Sequence, residues 1–130
     1  MVDIARNLVR EVLANAARGH GGALIGAAGT AEIRALASAG GARDYGDGGL
    51  GEAGLKTAIK TGVTNPAQLG CWRAAAGGPA KPAADEFPAG KPGFLVLVVA
   101  VRDGSAAEWA VWRLDPATRL PVPEPVHITS

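Results

Sequence analysis

A thiol becomes a nucleophile when an imidazole within hydrogen-bond reach takes its proton. This 130-residue chain has one thiol, Cys71, and two imidazoles, His20 and His127. Cys71 stands beside Trp72 on a segment read as a buried helix face, where a cysteine is a small apolar residue. His20 lies in a glycine-rich stretch and His127 close to the C-terminus. A Cys–His hydrolase is therefore the last of three functional readings, and no residue is assigned a catalytic role. Asp44, Asp47 and Glu52 in DYGDGGLGE are hard oxygen donors among glycines, but counting from Asp44 puts Gly46 third and Gly48 fifth, where a calcium loop needs oxygens. GALIGAAGT has glycines ahead of a helix start at Thr30 but lacks the Lys-Ser/Thr pair and the glycine spacing of a phosphate cradle. Neither a metal nor a cofactor is called for.

The segment LKTAIKTGVTNPAQLGCWRAA, residues 55–75, resembles a helix-turn-helix. It reads as a helix, Gly62 at the turn, and a second helix opened by Asn65, Pro66 and Gln68 in a pattern like a capping box. The resemblance implies DNA binding, with Gln68 and Arg73 on the recognition helix and Arg102 or Arg113 on a following wing. The pattern departs from the motif at Leu69, which falls one position late after the glycine. The charge balance, 13 basic against 12 acidic residues, offers no footprint for nucleic acid either. This is the second reading.

The first reading rests on tryptophan. Aromatic side chains dominate the energetics of binding patches, and Trp109 and Trp112, with Arg113 between them and the next turn, lie on one expected strand. A non-enzymatic interaction or assembly protein, joined to itself or to a partner protein through Trp109, Trp112 and Arg113, is the function expected from sequence.

The elements that would position these residues are short. Asp3–Arg18 places Ile4, Leu8, Val9, Val12, Leu13 and Ala16 at helical spacing and stops at Gly19. His20–Gly29 is ambiguous between loop and strand. A short helix is expected over Thr30–Ser38 and a third over Glu52–Thr61 burying Leu55, Ala58 and Ile59, with the Asn65 helix as the fourth. Gly77–Gly93, rich in Gly, Pro and Ala, reads as a linker or long surface loop. Phe94–Arg102 (FLVLVVAVR) is an unbroken apolar run, the pattern of a central strand covered on both faces. Asp103-Gly104 turns it into a second strand, Glu108–Leu114. LPVPEPVHIT suits only an edge strand or an extended tail, because its prolines cannot donate to a ladder.

Together these give an expected α+β fold in a single domain, 1–130, with about four helices in 1–76, a linker in 77–93 and a β-hairpin part in 94–130. Much of the apolar content is alanine, so the core is expected to be small. A lone cysteine excludes an internal disulfide and suits a reducing cytoplasm. The N-terminus has the alternation of an amphipathic helix rather than a signal peptide, and no apolar run approaches a membrane span, so no membrane partner is expected.

Overall fold

The computed structural model describes residues 1–39 and 52–130. In chain order these form β1 (Val2–Ala5), α1 (Arg6–Ala17), β2 (Gly21–Ala27), β3 (Glu32–Ile33), β4 (Ala35–Ala39), α2 (Glu52–Thr61), β5 (Pro66–Ala76), a single 3-10 turn (Ala84–Glu86), β6 (Leu95–Arg102), β7 (Ser105–Leu114), β8 (Pro121–Pro123) and β9 (Val126–Thr129). The described residues are thus mostly β, with two helices rather than four. The expected division into a helical half and a hairpin half is overturned.

The larger sheet has strand order β4-β2-β5-β6-β7-β8, with β5 and β6 parallel and the other neighbours antiparallel. A smaller parallel sheet runs β3-β1-β9. Side chains of the larger sheet alternate between its faces. Leu24, Leu36, Trp72, Leu97, Val99 and Val111 meet Val9, Val12 and Ala16 of α1 and Val2, Ile4 and Ile33 of the small sheet. On the opposite face Ala23, Ile25, Ala35 and Ala37 meet Ala58 of α2, while Cys71, Val96 and Val98 meet Phe87 and Phe94. The large sheet is therefore a middle layer between α1 with the small sheet and α2 with the 84–94 segment.

That sandwiching explains the misread segments. A strand covered on both faces loses the polar alternation that identifies it, and an alanine-rich one then scores as helix by propensity. Thr30 does not cap a helix. Its hydroxyl donates to the Ala27 carbonyl and accepts from the Glu32 N–H, shaping the turn after β2, and Ala35–Ala39 then pairs antiparallel with β2. Asn65 is not an N-cap but takes a left-handed conformation (φ 48°), its carbonyl accepting the Ala28 N–H, and Pro66 opens β5 at a strand start where its missing N–H is tolerated.

Three glycines are required by close approach. A Cβ on Gly22 would collide with the Ala37 carbonyl of β4, one on Gly26 with the Glu32 carbonyl of β3, and one on Gly70 with the Leu95 carbonyl of β6. At the N-terminus, residues 2–5 form β1, so Asp3 is a strand residue and α1 begins after Ala5, which offers no side-chain cap. Ala58 of α2 is fully buried as expected, whereas Ile59 is exposed. The strands expected from 94 onward are β6 and β7, turning at Asp103 and Gly104, but they are two strands of six. The proline-bearing C-terminal segment supplies β8 at one edge of the large sheet and β9 beside β1. No helix among the described residues is long and apolar enough to cross a membrane.

Candidate functional site

The helix-turn-helix does not exist. Residues 66–76 are the strand β5 at the centre of the large sheet, so Gln68 and Arg73 have no recognition helix to ride on. Gln68 donates through Nε2 to the Gly70 carbonyl, and its Oε1 is buried with no hydrogen-bond partner among the described residues. Arg73 points to the face carrying Cys71, where its Nε and Nη2 bond the two carboxylate oxygens of Glu86, the latter at 2.8 Å, and its Nη1 donates to the Ala74 carbonyl. This two-pronged bond raises the guanidinium's already high affinity for its proton. Glu86 also accepts the Ala83 N–H at 2.6 Å, closing the 3-10 turn.

Trp112 fastens the same segment from the other side, its indole Nε1 donating to the Ala80 carbonyl at 2.8 Å while the Lys81 ammonium lies 5.8 Å from the ring centroid. Residues 77–94 are therefore no loose linker. Arg73 and Trp112 strap them to the sheet, and Ala80, Phe87 and Phe94 are buried there.

The thiol of Cys71 is 5% exposed on this face. Burial, reinforced by the Glu86 carboxylate and only partly opposed by Arg73, pushes its pKa up to about 12. A thiol so protonated is a poor nucleophile at neutral pH. His127 is exposed on β9 with its Nδ1 3.0 Å from Asp3 Oδ1, and exposed His20 follows α1, its backbone N–H donating to Asn15. Among the described residues no hydrogen bond joins either imidazole to Cys71, and the Cys–His reading has no geometry behind it. Among the described residues no group of three or more His, Cys, Asp or Glu side chains converges as a metal site. Asp44 and Asp47 lie outside the described residues, and Glu52 is the first residue of α2.

The residues expected to meet a partner are split by the sheet. Trp109 packs, half-buried, against the core on the α1 face, and Trp112 faces the strapped segment. Arg113 Nε donates to Glu124 Oε2 at 2.7 Å, and Glu124 Oε1 takes the Met1 amine at 3.1 Å. Two features near them were not read from sequence. The first is the outer edge of β7. β8 pairs only with Trp112–Leu114, so among the described residues Ser105–Ala110 has no strand neighbour on that side, and Ser105–Glu108 are exposed.

The second feature is a cleft of about 410 Å³ between the segment 87–94 and the turn joining β7 to β8, floored by Phe87, Phe94 and Leu114. A neighbouring cleft of about 510 Å³ lies across the same 90–94 wall, beside Gln68 and Leu69. The sequence signal for the first was the pair of phenylalanines flanking PAGKPG, hidden in and beside a stretch read as a linker or long surface loop.

No protein-family model matches the chain, and no curated protein matches it. Solved structures do. A protein of Salinibacter ruber, determined in solution, is similar with a TM-score of 0.67 at 19% identity over 98% of this chain and 92% of that one. A protein of Desulfitobacterium hafniense, also determined in solution, is similar with a TM-score of 0.62 at 14% identity over 99% and 93%. At these identities the likeness is one of fold: the chain has the same architecture as both bacterial proteins along nearly its whole length.

Proposed function

We propose that this chain is a non-enzymatic binding protein that associates with a partner protein through the β6–β7 hairpin, the partner adding a strand to the outer edge of β7. The observation that carries this reading is the open edge Ser105–Ala110, six residues long, in an otherwise paired strand. An unpaired strand edge presents a row of N–H and C=O groups, and strand addition is a recurrent mode of peptide recognition. The neighbouring stretch of the same edge is closed by the proline-bearing β8, so the open part has a defined end at Val111, whose carbonyl accepts the Glu124 N–H. Trp109, half-buried at the end of the open stretch, supplies an aromatic neighbour for an incoming side chain.

The experiment is capture of partners from host lysate with nuclease present, followed by amide hydrogen exchange and affinity measurement on the purified complex. Protection of the 105–110 amides, and a loss of about tenfold or more in affinity with the edge-blocking pair Ala106→Lys and Ala107→Lys, supports the reading. Both alanines are exposed, so the folded chain tolerates the change. A chain that is monomeric by light scattering and captures nothing, or a complex indifferent to these lysines, overturns it.

A further inference from the structure

The cleft beside Phe87 and Phe94 has the chemistry of a ligand site distinct from the β7 edge. Its floor is apolar: Phe87 and Phe94 are buried to within 8% and 5%, and Leu114 closes it from β7. Its rim is cationic. Lys91 and Arg119 line it, both are exposed, and neither has an ion-pair partner among the described residues. The third cation of the lining, Arg113, is already bound to Glu124. Among the described residues no Asp or Glu lines the cleft. Asp115, in the adjoining turn, has its Oδ1 occupied by the N–H groups of Ala117 and Thr118, which hold its carboxyl below the usual range.

The walls are set in advance. Pro88 and Pro92 restrict one wall, Gly90 and Gly93 take the left-handed conformations that its bends require (φ 75° and 83°), and the Phe94 N–H closes onto the Lys91 carbonyl. In the facing turn, Arg119 is itself left-handed (φ 58°), its N–H bonded to the Asp115 carbonyl.

We propose that this cleft binds a small amphipathic organic anion, a flat apolar body bearing one carboxylate or sulfonate. The apolar part would lie on Phe87, Phe94 and Leu114 and the anion against Lys91 and Arg119. Charge complementarity fixes the sign of the ligand, and the volume falls within the range of small-molecule pockets. The neighbouring strand edge fixes its kind. At Trp112–Leu114 the edge of β7 is already paired with β8, so an extended peptide finds no ladder to join there, and the cleft suits a discrete body.

The test is a titration of the isotope-labelled full chain with naphthoate and with its neutral isostere naphthamide, followed by amide chemical shifts. Naphthoate is expected to shift resonances of residues 87–94 and 114–119 and to bind about fivefold or more tightly than the amide. The variant Lys91→Gln/Arg119→Gln is expected to remove that preference while keeping an unchanged spectrum elsewhere, since both side chains are exposed. Equal affinity for the two probes, shifts centred elsewhere, or a preference that survives the double variant overturns the proposal. None of these outcomes bears on strand addition at Ser105–Ala110.

Discussion

The clearest quantitative consequence of the fold concerns Cys71, because the chain has no other cysteine and any thiol signal belongs to it. Burial between β5, Val96 and the strapped segment raises its pKa from 9.0 to about 12. Three units correspond to about a thousandfold less thiolate at any pH well below both values, and the thiolate is the reactive form. With 5% of the residue exposed, access adds to the effect. At about pH 8, labelling by Ellman's reagent should thus be at least about a thousandfold slower in the native protein than in concentrated guanidinium chloride.

The same shift predicts an alkaline limb of stability. The folded state keeps a proton that the unfolded chain gives up, so this contribution is complete below about pH 9. It declines as the pH rises towards 12, by up to about 1.4 kcal/mol per unit. Cys71→Ala has no such proton, so the stability difference between the native protein and this variant should move in the variant's favour above pH 9. Denaturant titrations at a series of pH values measure it. Native labelling as fast as in denaturant, with the far-UV spectrum intact, would refute the reasoning, and so would a pH-independent difference between the two proteins.

Gly70→Ala forces a methyl into the Leu95 carbonyl between the two central parallel strands and should cost about 3 kcal/mol or more, whereas Gly78→Ala, with open space around the new carbon, should be near neutral. Paired urea titrations decide this, and equal effects would contradict the close approach. Glu86→Gln breaks the two-pronged bond to Arg73 with both side chains about a quarter exposed, so a loss of about 1 kcal/mol is expected. A double-mutant cycle with Arg73→Met should return most of that loss as coupling, and hydrogen exchange should show the 77–87 segment opening first. Zero coupling would mean that the strap is held by Trp112 alone.

Features carried by local chemistry were legible in the sequence. α1 has one apolar stripe, α2 lies between Glu52 and the left-handed Gly62, and β6 is an apolar run closed by Asp103-Gly104. Each of these announces itself within its own residues. The prolines of the C-terminal stretch likewise excluded it from the interior of a sheet, and it supplies edge strands.

Tertiary structure decided the rest, because the signals that identify a strand or a site vanish when both of its faces are covered. β4 and β5 look helical because alanine fills positions squeezed between layers, and only the partners across the ladder, Leu24 for Leu36 and Leu97 for Trp72, say otherwise. Arg73 resembled a free cation until Glu86, thirteen residues away, was folded onto it. The two phenylalanines around PAGKPG became a cleft floor only when Arg73 and Trp112 drew their segment down onto the sheet. No window of sequence contains that distance.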